Sequence, residues 1–178
     1  MSKKSNIFLV GPMGAGKTTV GKRLADTLGM EFIDSDHEIE TRTGVDIPYI
    51  FEREGEEGFR KREKLVIADL TTRTNIVLAT GGGSVLDAEN RQFLSARGFV
   101  VYLHAGVDHQ LSRTARTDNR PLLKNSGANR RDVLHTLFEM RDPLYREIAD
   151  LILDTDERSA KALVREIQDR MTGLPAAG

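Results

Sequence analysis

Gly11-Pro12-Met13-Gly14-Ala15-Gly16-Lys17-Thr18 fits the template G-x-x-x-x-G-K-[ST] at every fixed position. Its flanks have the required character. Ile7-Phe8-Leu9-Val10 is a short apolar run that reads as a buried strand. Val20, Leu24 and Leu28 recur every four residues after it, as on one face of a helix that stops at Gly29. In such a strand–loop–helix unit the glycines let backbone N–H groups turn inward around phosphate oxygens. The helix N-terminus adds positive dipole, Lys17 adds a full charge, and the Thr18 hydroxyl is a ligand for Mg²⁺. The stretch predicts a site for a phosphorylated ligand.

The rest of the composition narrows the class. With 178 residues the chain reads as one domain, 1–178, long enough for a real core. A net charge of −1 sets up no global field to gather nucleic acid or an acidic membrane. There is no cysteine, which excludes disulfides, thiolate catalysis and Cys-based zinc sites. No apolar run approaches the length of a membrane span. Met1-Ser2-Lys3-Lys4-Ser5 leads straight into the first strand, so no signal peptide is expected and the expected compartment is the cytoplasm.

Along the chain, strands alternate with helices. Further strands are expected at Glu31–Asp34, Ile76–Ala79, Phe99–Leu103 and Leu151–Leu153. Ser35 or Asp36 caps a helix to about Thr43. Pro48 suits the first turn of a short helix over Ile47 to Glu54; Gly55 and Gly58 interrupt it, and a longer helix follows from about Phe59 to Thr72. Asp87 caps a helix ending near Arg97, and another runs from Val107 to Ala115. Arg130 to Met140 is helical, stopped by Pro143, and Ser159 caps the last helix. Residues 116–129 lack periodicity and read as a long loop; 173–178 read as a loose tail. The alternation implies an α/β fold with a parallel sheet covered on both faces. Ligands then sit at the carboxyl ends of the strands, so Gly11, Asp34 to Asp36 and Thr80 to Gly83 should converge.

Several constellations carry chemistry. Asp34-Ser35-Asp36 closes the second strand; one acid can hold Mg²⁺ through water and the other can accept a substrate hydroxyl or take its proton, or either can simply cap the next helix. Thr80-Gly81-Gly82-Gly83 ends the third strand with no acid, and is either a flexible turn or a place where backbone N–H groups approach a ligand closely. Arg60 alone reads as an ordinary helix arginine. Arg141 lies four residues past Leu137 on an apolar helix face, and needs an anionic partner, whether a ligand or an internal carboxylate, or a wet cleft. From Arg113 to Arg131, six cations stand against Asp118 alone. Such a loop either closes over a nucleotide or is a solvated surface; it carries no aromatic residue to stack bases.

Taken in order, the phosphate loop, Asp34-Ser35-Asp36, Phe59-Arg60-Lys61-Arg62-Glu63, Thr80-Gly81-Gly82-Gly83, Arg120-Pro121-Leu122-Leu123 and Arg141-Asp142-Pro143-Leu144-Tyr145 resemble the shikimate kinases, from Asn6 to about Met171. The resemblance implies a three-layer P-loop kinase fold with a five-stranded parallel sheet in the order 2-3-1-4-5 and a mobile lid at about 115–129. It implies ATP-dependent phosphorylation of shikimate at its 3-hydroxyl, giving shikimate 3-phosphate and ADP, by a Mg²⁺-using transferase of aromatic amino-acid biosynthesis. The protein would be a monomer with two small-molecule substrates and no nucleic-acid or membrane partner. The alternative is a related kinase of another hydroxy-acid such as gluconate.

The implied roles are these. Gly14, Ala15, Gly16, Lys17, Thr18 and Thr19 hold the ATP phosphates, with Thr18 and, through water, Asp34 on Mg²⁺. Asp36 binds the substrate hydroxyls and acts as base; Arg60 and Arg141 clamp the carboxylate, with backbone contacts from Gly81, Gly82 and Gly83. Arg120 in the lid meets the phosphates, and Arg113 and Arg158 line the adenine pocket. Lys17, Asp36 and Arg120 are the catalytic set.

Overall fold

The structure is a computed structural model and describes residues 5–114 and 129–173. Five strands form one parallel sheet: β1 (Ile7–Val10), β2 (Glu31–Asp34), β3 (Ile76–Ala79), β4 (Phe99–His104) and β5 (Leu151–Asp154), in the order β2-β3-β1-β4-β5. The helices are α1 (Lys17–Leu28), α2 (Ser35–Thr43), α3 (Ile47–Leu70), α4 (Ala88–Arg97), α5 (Val107–Thr114), α6 (Arg130–Ile148) and α7 (Ala160–Met171), with a 3₁₀ turn at Ser84–Leu86. The expected strand order is the observed one.

The pleat explains the layers. Alternate residues of β1 serve opposite faces. Phe8 and Val10 join Ile76, Leu78, Val100 and Tyr102 in a core closed by α3, α4 and α6. Ile7 and Leu9 join Val77, Val101 and Leu103 in a second core closed by α1 and α7. Every residue of β1 is therefore fully buried, as its unbroken apolar run requires. Parallel register sets Leu9 beside Ala79 and Val101, so β1 and β3 end together.

Three local expectations are corrected. Helix α6 does not stop before Pro143 but runs through it to Ile148. Proline costs the bond to the Glu139 carbonyl, but the last turns are held by burial of Tyr145 and Ile148. Asp142 adds to this, accepting from the Tyr102 hydroxyl at 2.6 Å and from Arg146 Nε at 2.9 Å. The expected break in α3 is there at Gly55, whose φ of 70° and ψ of −177° are not helical, so two helices meet at a kink; Gly58 does not interrupt it, and the second helix begins before Phe59. The cap of α2 is Asp34, not Ser35 or Asp36: its Oδ1 accepts from the Asp36 and His37 N–H groups at 2.9 and 3.2 Å. Asp87 and Ser159 cap α4 and α7 as expected.

The exit from β1 is tight. Gly11 has φ of 149°, and a Cβ there would lie 2.4 Å from the Leu103 carbonyl oxygen of β4. Its glycine is a demand of the sheet before it is a demand of any ligand. Gly11→Ala is expected to lower stability by about 2–4 kcal/mol, from backbone strain plus overlap with a strand that cannot retreat. Urea denaturation monitored by circular dichroism checks this; a loss within about 0.5 kcal/mol would contradict it.

Candidate active site

One half of the site is built at the start of α1. Gly16 is its N-cap, and no acid stands in the first turn to offset the helix dipole. The Lys17 ammonium donates to the Gly11 and Pro12 carbonyls at 2.6 and 2.8 Å, spanning the loop. Thr18 Oγ1 donates to Asp34 Oδ2 at 3.1 Å, so the two oxygens of Asp34 have separate duties, one capping α2 and one facing Thr18. Among the described residues no three His, Cys, Asp or Glu side chains gather as a metal cage. The Thr18–Asp34 pair is instead a small set of hard oxygens, of the kind Mg²⁺ uses when water and phosphate supply the rest. Ala15 is 2% exposed and its methyl belongs to the core, leaving only its backbone for a ligand. Arg113 lies over the loop: its Cβ is 3.3 Å from where a Gly14 side chain would begin, and its Nη1 3.4 Å from the same point at Gly16.

A cleft of about 850 Å³ continues from this loop, past Thr18, Thr19 and Asp34, to Asp36, Thr80, Gly81 and Gly82. Beyond it stands the second half. The glycine corner is as close-packed as its sequence suggests. A Cβ at Gly81 would lie 2.6 Å from Asp36 Oδ1 and 3.1 Å from Glu63 Oε2. One at Gly82 would be 3.3 Å from Arg141 Nη1, and one at Gly83 only 2.3 Å from Arg60 Nη2. The corner is therefore where Asp36, Arg60, Glu63 and Arg141 meet. Any side chain larger than hydrogen would displace the charged groups themselves.

These charges are unequal in their surroundings. Arg60 donates to Glu63 Oε1 at 2.9 Å and to Glu56 Oε1 at 3.3 Å. Arg141 is 4% exposed, its Nε has no partner, and it makes no salt bridge among the described residues. Burial lowers its pKa from the usual arginine value, with Arg60 acting in the same direction and the nearby Tyr145, Glu56 and Glu63 opposing. Glu63 is buried with Oε2 unpartnered. Burial pushes its pKa up to about 7; Arg60 opposes this and the Asp36 charge adds to it.

Glu63 and Tyr145 were not among the expected site residues. Glu63 had a legible signal, since it sits in the stripe Phe59, Glu63, Val66, Ile67, Leu70 that α3 buries. An acid in a core stripe needs a reason. Tyr145 was hidden by ending α6 too early; on the full helix it follows Arg141 by one turn. Arg158 donates to Glu166 at 2.5 Å and does not line the cleft. Arg120 and the expected lid, apart from Asn129 (the N-cap of α6), lie outside the described residues, as does the expected tail beyond Gly173. No helix among the described residues is long and apolar enough to cross a membrane.

Comparison with known proteins fits this geometry. The family model for shikimate kinase matches residues 13–172. A shikimate kinase of Methylococcus capsulatus is 60% identical over 167 residues, covering 94% of this chain and 92% of the relative. The structure of a shikimate kinase from Acinetobacter baumannii in complex with shikimate superposes with a TM-score of 0.92 at 54% identity, covering 95% of this chain and 93% of that one. A gluconokinase from Sinorhizobium meliloti, at 16% identity and a TM-score of 0.59 over 97% of this chain and 94% of that one, shares the fold alone.

The buried acid makes stability depend on pH. Glu63 holds its proton to about pH 7 when folded, against an ordinary value of 4.5 when unfolded. Between those limits the folded state binds more protons, so stability falls as pH rises, by about 3 kcal/mol at most. Glu63→Gln lacks this titration. Denaturant melts of both proteins from pH 4 to pH 8 are expected to show the wild type losing ground to Glu63→Gln as pH rises. A pH-independent difference would contradict the assignment.

Proposed function

Since the chain belongs to the shikimate kinase family and phosphorylates shikimate, we propose that ATP is the donor, the 3-hydroxyl the accepting group, and the two halves of the cleft the places where each is held. The observation that carries the assignment is Arg141. A guanidinium this buried and without a carboxylate of its own favours an anionic ligand. Arg60 stands at the same glycine corner, against Gly83 as Arg141 is against Gly82. Two planar forks beside neighbouring glycines suit the carboxylate of a small hydroxy-acid.

The remaining roles follow from position. Asp36, at the pocket end of the cleft, accepts from the ring hydroxyls and takes the proton of the attacking one. The loop N–H groups from Gly14 to Thr19 and the Lys17 ammonium neutralise charge on the phosphates. The Thr18 hydroxyl and Asp34, the latter through water, would hold Mg²⁺, which supplies charge neutralisation to the phosphates when bound. Arg113 over the loop is assigned to the nucleotide and Arg120 to the transferring group from the lid, while Arg158, paired with Glu166 away from the cleft lining, has the nucleotide role from the family resemblance alone. Phosphoryl transfer needs little more than this positioning and neutralisation. A kinase of gluconate is not favoured by the relatives. The same reading has a single-domain monomer in the cytoplasm, without nucleic-acid or membrane partners, in keeping with a net charge of −1.

An ADP-release assay over a panel of hydroxy-acids tests the proposal. Turnover is expected with shikimate and not with gluconate; the reverse would overturn it. Lys17→Met should abolish turnover, and retained activity would contradict its role. Arg120→Ala should lower kcat at least 100-fold, as loss of a charge acting mainly in the transition state. If only the KM for shikimate moved, Arg120 would belong to the acceptor half instead.

A further inference from the structure

The glycine corner after β3 is held plane by plane, and one of its peptide planes depends on a single side-chain hydroxyl. The Gly81 N–H donates to Ser35 Oγ at 3.1 Å, which fixes the plane before Gly81. The Gly81 carbonyl accepts from the Ser84 N–H at 3.1 Å, which fixes the next plane and the one after Gly83. The Gly83 carbonyl accepts from the Leu86 N–H at 3.1 Å. Among the described residues the plane between Gly82 and Gly83 has no backbone partner. Its carbonyl accepts from the Tyr145 hydroxyl at 2.5 Å.

Tyr145 is built for this contact. It is 1% exposed, its ring packs on Tyr102 at 4.8 Å between centroids, and burial raises its pKa, so the hydroxyl remains a donor. It lies one helical turn past Arg141, whose guanidinium is beside the same hydroxyl and also 3.3 Å from the site of a Gly82 side chain. Among the described residues the Gly82 and Gly83 N–H groups donate to no protein acceptor. In a trans peptide the N–H points opposite to its carbonyl, so fixing the Gly82 carbonyl on Tyr145 aims the Gly83 N–H away from it. A strong donor on the carbonyl also polarises that N–H.

We propose that the Tyr145 hydroxyl is a positioning group for the acceptor: it locks the Gly82–Gly83 peptide to α6, so that the loop N–H groups and the Arg141 fork meet shikimate as one preorganised surface. The proposal rests on the functional reading above and adds a residue that need not touch either substrate. Its energetic signature is specific. Loss of the hydroxyl loosens the acceptor half, while the phosphate loop beside it keeps its own Lys17 bonds to the Gly11 and Pro12 carbonyls.

Tyr145→Phe keeps the ring and its packing and removes only the oxygen. Steady-state kinetics are run with shikimate and ATP varied separately, and with Tyr102→Phe as the control for losing the other hydroxyl of the stacked pair. The expected result for Tyr145→Phe is a KM for shikimate raised about tenfold, the worth of one buried hydrogen bond, with the KM for ATP within twofold. Tyr102→Phe should leave both within twofold. In the protein without substrate, the Gly83 amide proton should move upfield in Tyr145→Phe, as its peptide loses polarisation. An unchanged KM for shikimate, equal rises in both KM values, or an unmoved Gly83 resonance would each overturn the proposal, even if the melting temperature fell. A wild type inactive on shikimate overturns the functional reading and this proposal with it; an active wild type indistinguishable from Tyr145→Phe overturns this proposal alone.

Discussion

Strand β1 runs between two parallel neighbours with both faces covered, and the chain leaves it at Gly11 within van der Waals reach of the β4 backbone. Much of the site follows from that confinement. The phosphate loop must turn at the carboxyl end of β1, and parallel register brings the ends of β2 and β3 level with it. Asp34 and the glycine corner are thereby placed beside the loop although Gly81 is 70 residues from Gly11 in sequence. The sheet holds the phosphate loop and the glycine corner at a fixed separation, which is most of what the proposed transfer between them asks of a protein.

The glycine corner shows what such a site costs. Arg60, Glu63, Asp36 and Arg141 crowd around glycines that present no side chain, with Glu63 and Arg141 almost fully buried. Buried charge is stabilised only by good partners, and here the partners are incomplete: Glu63 Oε2 and the Nε atoms of Arg60 and Arg141 have none. Glu63 answers by keeping its proton to higher pH. An anionic ligand between the two arginines would answer the same imbalance from the other side. The strain of assembling these charges is offset by the apolar cores on both faces of the sheet.

Much of this was legible in the sequence for physical reasons. Runs such as Ile7–Val10 and Ile76–Ala79 are too short and too apolar to be anything but buried strands, and fixed-position glycines with Lys17 leave few alternatives for the loop. Asp34 is ambiguous in the sequence because a carboxylate has two oxygens; the structure gives one to the cap of α2 and one to Thr18, so the capping reading holds and the Mg²⁺ role remains part of the proposal. The end of α6 is not legible at Met140 because proline's missing bond is local, whereas the burial of Tyr145 and Ile148 that carries the helix on to Ile148 is tertiary. Glu63 was missed because its meaning depends on Arg60, Asp36 and Gly81 arriving from three separate elements.

The account turns on where a hydroxy-acid carboxylate goes. A crystal structure of the protein with ADP, Mg²⁺ and shikimate measures it directly. The predicted result is the carboxylate held by the forks of Arg60 and Arg141 at the glycine corner, with the 3-hydroxyl at Asp36 and facing the phosphate loop. A carboxylate seated on Lys17 and the loop N–H groups, with Arg141 still bare, would contradict it.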